Sequence, residues 1–133
     1  MSEAAPNEDQ PKGELAIRTL AMPADTNPAG DIFGGWLMSQ MDIASSITAG
    51  VRARGRVATV AVTGFTFHKP VQVGDVVCCY ADIQRIGTTS MMILVEAWVL
   101  RRSEPERRVK VTEGKFTFVA LDEEGKKRPI PHA

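Results

Sequence analysis

The fold is decided by the segment Gly34-Gly-Trp-Leu-Met-Ser-Gln-Met-Asp-Ile-Ala-Ser-Ser-Ile-Thr48, whose pattern differs from that of the rest of the chain. It contains no proline and no run of β-branched residues, and its apolar positions 37, 41, 44 and 47 recur at the spacing of one helix face. This pattern predicts an α-helix from Gly34 to about Thr48. Gly50 and Gly55 are expected to close it.

The sequence after this helix changes to a period of two, which is the period of a β-strand. Strands rich in Val, Ile, Thr, Phe or Trp are predicted at 57–68, 75–86, 89–101 and 108–121, and a shorter strand is predicted from Leu15 to Met22. The segments between the later strands fit antiparallel turns. A helix and such strands bury their apolar sides best when the helix lies across the concave face of the sheet. The predicted class is therefore α+β, with one long central helix wrapped by a curved five-stranded antiparallel sheet.

The length of 133 residues suits one domain with a hydrophobic core and is too short for two of ordinary size. Residues 1–13 are polar and proline-containing, and are predicted to form a disordered N-terminal tail. Residues 14–122 form the predicted single domain, and residues 123–133 a polar C-terminal tail.

The composition excludes several classes of partner. Sixteen basic residues balance sixteen acidic ones, so no overall positive field favours nucleic acid or an anionic membrane surface. The segment from Ile32 to Val51 contains Asp42 and several hydroxyl side chains, which argues against insertion into a membrane. Cys78 and Cys79 are adjacent in a predicted strand, where their side chains point to opposite faces and do not form a disulfide. With no disulfide framework and no apolar leader, we expect a cytoplasmic protein.

Asp42 is the only ionisable side chain between Ile32 and Val51. Such a residue is either a partly exposed, hydrogen-bonded helix aspartate or a functional one, and the charge pattern alone does not choose between them. Its isolation among apolar residues favours function, because a carboxylate removed from water is a better general base.

Two features of the segment before the helix add to this hypothesis. Gly34 and Gly35 allow a substrate to approach the backbone closely, and the N–H groups of the first turn favour a developing oxyanion. A tight turn would explain the same glycines. Pro28 biases Asn27 towards an extended conformation that could present its amide to a cleft. An ordinary turn asparagine is the simpler explanation of Asn27 taken alone.

Other chemistries find little support in the sequence. It has no Cys and His spacing for zinc, no Gly-rich nucleotide motif and no serine in a nucleophile elbow. The loop around Asn27 briefly resembles a calcium loop, but Trp36 stands where a bidentate glutamate is required. His68 is better explained as a structural or rim residue than as a base, and His132 lies in the C-terminal tail.

Four stretches of the sequence carry a resemblance to a known family. The longest is Arg18-Thr-Leu-Ala-Met-Pro-Ala-Asp-Thr-Asn-Pro-Ala-Gly-Asp-Ile-Phe-Gly-Gly-Trp-Leu-Met-Ser-Gln-Met-Asp42. The others are Gly55-Arg-Val-Ala-Thr-Val-Ala-Val62, Lys69-Pro-Val-Gln-Val-Gly-Asp-Val-Val-Cys-Cys-Tyr80 and Phe116-Thr-Phe-Val-Ala-Leu-Asp122. Over about residues 15–130 the chain resembles YciA-type hot-dog acyl-CoA thioesterases.

This resemblance implies a hot-dog fold and hydrolysis of acyl-CoA thioesters to free coenzyme A and a carboxylic acid, with no metal or redox cofactor. The aspartate of the family's Met-Asp pair is catalytic, which implies that Asp42 acts as general base or as nucleophile. The asparagine of its Thr-Asn-x-x-Gly run belongs to the active site, which implies the same for Asn27. The N–H of Gly34 or Gly35 would bind the thioester oxygen.

Coenzyme A carries phosphates, so a local basic rim is expected despite the zero net charge. Each candidate for it is also explicable as an ordinary surface or turn residue. The candidates are Lys69, Arg54, Arg56 and Arg85, with Gly87, Thr88, Thr89 and Ser90 as hydroxyl and backbone donors.

Helix geometry bears on assembly. Gly34 and Asp42 are eight residues apart, which is about 12 Å along a helix axis, too far for one reacting carbonyl to contact both. We therefore expect a symmetric homodimer whose active sites are shared between subunits. The resemblance adds that such dimers assemble further as trimers of dimers, which are hexamers.

Two alternatives remain. A hot-dog module could bind acyl-CoA as a sensor or carrier without turnover, although an intact Asp42 argues against it. A hot-dog dehydratase would require a histidine in the helix or its preceding loop, and neither contains one. Thr63-Gly64, Ser45-Ser46 and His68 depart from the family's pattern, which leaves the acyl-chain preference open.

Overall fold

Five strands and one long helix make up the structure, a computed structural model that describes residues 10–132. In chain order the elements are β1 (Glu14–Leu20), α1 (Gly34–Ala53), β2 (Val57–Phe67), β3 (Val76–Ile86), β4 (Ser90–Arg101) and β5 (Glu104–Ala120). A short 3-10 helix, Pro23–Asp25, interrupts the loop between β1 and α1. Residues 1–9 of the predicted N-terminal tail lie outside the described residues.

The strands form a single sheet in the order β1-β3-β4-β5-β2, with every neighbouring pair antiparallel. The helix α1 packs against all five strands, which confirms the predicted α+β architecture. β2 is an edge strand, and its pairing with β5 is interrupted at two places, between Thr59 and Ala61 and between Thr63 and Thr66. Such irregularities bend a strand, and here they occur in the strand that runs along one side of the helix.

One face of α1 is buried against the sheet. It carries Leu37, Met41, Ala44, Ala49 and Ala53, each at most 2% exposed, at the spacing of one helical stripe. The alanines in the second half of the helix let its backbone approach the sheet closely.

Ile47 was expected on the buried stripe, and this expectation is wrong. Its side chain is 49% exposed, because it shares the opposite stripe with Ile43 and Val51 at four-residue intervals. The helix therefore carries a second apolar face that residues 10–132 of the single chain leave exposed.

The helix continues past its predicted end near Thr48 and includes Gly50, ending at Ala53. Arg54 follows in the left-handed conformation, with φ 57°, and the guanidinium of Arg128 donates a 2.8 Å hydrogen bond to the Ala53 carbonyl. A charged donor on a terminal carbonyl stabilises a helix C-terminus. This cap comes from a residue 75 positions away, so local spacing does not reveal it.

The chain beyond residue 122, predicted as a polar tail, packs on the domain up to Ile130. The Ile130 side chain is 8% exposed and belongs to the core, and its N–H donates to the Thr88 carbonyl at 2.8 Å. The fold thus extends past the predicted boundary at 122. β5 likewise begins at Glu104, earlier than the predicted 108.

Candidate active site

Asn27 organises the loop that leads into α1. Its side-chain Oδ1 accepts hydrogen bonds from the N–H groups of Ala29, at 2.9 Å, and Asp31, at 3.1 Å. Its own main-chain N–H donates to the Asp31 carbonyl at 2.7 Å. Because these bonds engage the oxygen, the side chain can serve a ligand only as a donor, through Nδ2. Asn27 thus shapes the loop through its Oδ1, and its Nδ2 group is the part of the side chain that can donate to a ligand.

The first turn of α1 presents main-chain N–H groups. The preceding residue, Phe33, forms no side-chain cap, so within residues 10–132 no such cap satisfies the N–H groups of Gly34 and Gly35. Both glycines are exposed. Uncapped first-turn N–H groups, together with the helix dipole, favour a negatively charged oxygen.

The two glycines have different surroundings. A Cβ at Gly34 would lie 3.0 Å from the ring Cζ of Phe67, whereas a Cβ at Gly35 would meet no atom of residues 10–132 within 4 Å. Gly34 therefore allows Phe67 to pack closely against the helix start, and Gly35 borders open space.

Asp42 lies half-buried on α1, two turns after the glycines. Its Oδ1 accepts a 2.6 Å hydrogen bond from the Thr59 hydroxyl. Thr59 stands at one of the two irregularities of β2, and a bulge can redirect a side chain. The carboxylate is thus oriented by a residue of the neighbouring strand.

Sequence reasoning missed Thr59. It is one of several threonines in an alternating strand, and the bulge that positions it leaves no recognisable local pattern.

Within one chain the structure does not bring Asp42 and the glycine pair together. They are eight residues apart on a continuous helix, about 12 Å along its axis. Asn27 belongs to the glycine end, because the bridge between Thr26 and Ile32 closes its loop directly before the helix.

The predicted basic residues are divided between the two ends of α1. Lys69 lies beside the helix start, where it lines the same cavity as Gly34. Arg54 and Arg56 follow the helix C-terminus, and α1, with 20 residues, is about 30 Å long. One chain therefore does not bring the predicted rim together.

The remaining residues predicted to bind coenzyme A lie near the C-terminal end of α1. Gly87 and Thr88 line a pocket with Arg52 of the last helical turn. Arg85, Gly87 and Ser90 line a neighbouring pocket, and the Thr89 carbonyl accepts the Ala120 N–H at 2.9 Å.

A cluster of ion pairs lies on the other face of the sheet. Glu96 alternates with the core residues Val95 and Ala97, so it points away from α1. It is only 3% exposed, and its carboxylate pairs with the Lys110 ammonium at 3.1 Å. Lys110 also pairs with Glu113.

These contacts perturb two pKa values. The hydrogen bond from Lys110 lowers the pKa of Glu113 despite its partial burial. Burial acts to lower the pKa of Lys110, but its hydrogen bonds to Glu113 and Glu96 outweigh this and raise it. In the core, burial raises the pKa of Cys79 to about 12, which leaves it a neutral thiol at physiological pH.

In the part of the chain that the structure describes, no three His, Cys, Asp or Glu side chains come together as a metal site. No helix within the same range is long and apolar enough to span a membrane.

Comparison with known proteins places this arrangement among thioesterases. The model of the thioesterase superfamily matches residues 29–106. The acyl-CoA thioester hydrolase YciA of Salmonella typhimurium is 60% identical over 126 residues, which is 93% of this chain and 95% of that protein.

Solved structures agree. A hexameric thioesterase from Yersinia pestis is 57% identical and superposes with a TM-score of 0.89, over 93% of this chain and all of that one. A hexameric, broad-specificity acyl-coenzyme A thioesterase is 52% identical with a TM-score of 0.87, over 96% of this chain and 87% of that one.

Proposed function

The chain belongs to the YciA-like acyl-CoA thioesterases of the hot-dog thioesterase superfamily, and from this membership we propose that Asp42 and the start of α1 form its catalytic site. The protein hydrolyses acyl-CoA thioesters to free coenzyme A and a carboxylic acid. The observation that carries the assignment of the site is the hydrogen bond that holds the Asp42 carboxylate against Thr59, at 2.6 Å. A carboxylate fixed in this way on an apolar helix is positioned to act on one face of a substrate.

Asp42 can act in either of two ways. As a general base it takes a proton from water, and the resulting hydroxide attacks the thioester carbon. As a nucleophile it attacks that carbon itself and forms a mixed anhydride, which water then hydrolyses. In both routes the C–S bond breaks, and the thiolate of coenzyme A leaves and is protonated.

The negative charge that develops on the thioester oxygen requires donors. The N–H groups at Gly34 and Gly35 are uncapped and accessible, and a main-chain donor fixed in a helix needs no reorganisation during the reaction. Asn27, whose Oδ1 is held by the loop, contributes its Nδ2 donor at the same end of the helix. It positions the attacking water or the carboxylate of the second subunit.

We place one active site across two subunits, because Asp42 and its oxyanion donors are about 12 Å apart on one helix. The surface beside them is suited to a second copy. Ile43, Ile47 and Val51 form an exposed apolar stripe on α1, and the adjacent edge strand β2 exposes Val60 and Val62. An unpaired apolar edge favours association with another strand.

A two-fold axis at this edge would place two α1 helices antiparallel, with the glycine pair of one near Asp42 of the other. The same arrangement would bring Lys69 of one subunit towards Arg54 and Arg56 of its partner, and so assemble the basic rim that one chain lacks. We further propose three such dimers per hexamer, and a cytoplasmic location.

The experiment that tests this site compares the wild-type protein with Asp42→Asn in a coenzyme A release assay over a panel of acyl-CoAs. The amide has no basic lone pair, so we expect turnover to fall by about 10²-fold or more with the fold unchanged by circular dichroism. Near-normal turnover in the folded variant would remove Asp42 from the mechanism. The alternative of a non-catalytic sensor predicts binding of acyl-CoA without release of coenzyme A even by the wild-type protein.

A further inference from the structure

A cavity of about 340 Å³ lies at the start of α1. Its deeper walls are the buried side chains Ile32, Leu37 and Val71, none more than 8% exposed. Phe67, at the end of β2, forms part of its wall and is 53% exposed. His68, Lys69 and Pro70 also line it, so the cavity is mainly apolar and carries a polar part, with the exposed Phe67 ring in its wall.

This compartment adjoins the proposed oxyanion donor, because Gly34 is one of its lining residues. A thioester whose oxygen is bound at the Gly34 N–H has two substituents, the acyl chain and the sulfur arm of coenzyme A. The sulfur arm carries amides and phosphates, which match Lys69 in the polar part of the lining better than the apolar walls. The acyl chain is the part of the substrate that gains by entering it.

Phe67 is held on two sides. Its ring centroid is 5.0 Å from that of Phe65 in a tilted arrangement, and its Cζ lies where a Cβ at position 34 would be 3.0 Å away. Phe67 is otherwise half-exposed in the single chain. The two contacts define the position of its ring in the wall of the cavity.

We propose that Phe67 is the residue that sets the acyl-chain length this enzyme accepts, by limiting the compartment beside Gly34. The inference rests on the proposed catalytic site. Each methylene that enters an apolar compartment increases kcat/KM by about fourfold. This increase stops at the chain length that fills the space, which is the break point of the profile.

Two substitutions at position 67 test the proposal in opposite directions. Phe67→Ala removes the ring and is expected to move the break point to longer chains, whereas Phe67→Trp is expected to move it to shorter ones. The profile is kcat/KM measured for saturated acyl-CoAs of increasing length. Leu15→Ala is the matched control, because Leu15 is similarly exposed but lies on β1 at the opposite edge of the sheet. Its profile should equal that of the wild type.

Gly34→Ala provides a second route, which acts on the Phe67 ring without changing position 67. The new methyl group would press on the Phe67 ring and should change the break point only when the ring is present. We expect a shift in the wild-type background and none in the Phe67→Ala background. Because the break point is a chain length read from the relative kcat/KM values of different substrates, loss of overall rate in Gly34→Ala does not obscure it.

The results distinguish failure of the Phe67 assignment from failure of the proposed catalytic site. Opposite shifts in Phe67→Ala and Phe67→Trp support the assignment. An active wild type with the same break point in every folded variant overturns it and leaves the catalytic site standing. A wild type that releases no coenzyme A from any substrate overturns the catalytic site itself.

Discussion

The proposed sharing of the active site between two subunits makes a quantitative prediction about mixed oligomers. One parent protein carries Asp42→Asn and lacks the carboxylate. The other carries Gly35→Leu, which fills the open space beside the helix start. Gly35 is the better of the two glycines for this purpose, because a Cβ there would meet no atom of the described residues within 4 Å, whereas one at Gly34 would press on Phe67. Its substitution is therefore expected to fill the cleft and leave Phe67 in place.

Each parent should be nearly inactive. Loss of the carboxylate costs about 10²-fold or more, and loss of access to an oxyanion donor costs about 10²- to 10³-fold. The mixture therefore starts from a background of about 1% of wild-type activity. In random pairing about half of all dimers contain one subunit of each kind.

Each mixed dimer regains one intact site, made of the glycine pair of the Asp42→Asn subunit and the carboxylate of the other. Its second site carries both defects. Total activity should therefore rise to about one quarter of wild type, roughly 25 times the background. The assay is coenzyme A release after the parents are dissociated in mild denaturant and reassociated, with native mass spectrometry to count mixed species. Demonstrated exchange with activity still at the parental level would refute the shared site.

Three further predictions concern single residues. Thr59→Val removes the 2.6 Å hydrogen bond to Asp42 and should lower kcat about tenfold with little change in KM. Thr59→Ser keeps the hydroxyl and should retain most activity. Equal loss of activity in both variants would mean that the hydroxyl is not the cause. Asn27→Asp keeps the Oδ1 acceptor of the loop but loses the Nδ2 donor, so steady-state kinetics should show a lower kcat, and a raised KM alone would restrict Asn27 to binding. Glu113→Gln tests the contribution of this carboxylate to stability. The hydrogen bond from Lys110 lowers the folded-state pKa of Glu113 below 4.5. The carboxylate therefore stabilises the fold above pH 4.5, and this contribution is lost as the pH falls through the lower folded-state pKa. Calorimetry should find the variant less stable than wild type at neutral pH, with a difference that shrinks as the pH falls below 4.5. A difference that stays constant with pH would contradict this.

The elements of the fold were predictable because they depend on local periodicity. The helix begins at Gly34 as predicted, since the change from turn residues to helical spacing is visible in the sequence. Its end was not predictable, because Arg128 caps it from 75 residues away. Ile47 shows a related limit. Helical spacing identifies apolar stripes but does not say which one the sheet covers and which one is left exposed.

The candidate site likewise contains residues that the sequence predicts and residues that it does not. Asp42 stands out in the sequence because it is isolated, and the resemblance to a known family identifies Asn27. Thr59 could not be found by either route, since its contact with Asp42 depends on a bulge in β2. Phe67 was not predicted as a site residue, for a similar reason. An aromatic residue in an alternating strand predicts burial, and only the three-dimensional structure shows its ring against Gly34.

The proposed site couples catalysis to assembly through β2. This strand supplies Thr59, which orients Asp42, and Phe67, which packs at the helix start. It is also the edge strand that exposes apolar side chains beside the uncovered stripe of α1. A second subunit pairing at this edge would therefore bury β2. It would fix Thr59 beside Asp42 and Phe67 beside the start of α1. On this view the isolated chain is incomplete for two reasons: it lacks the partner's catalytic group, and the strand that orients its own groups is left at an open edge.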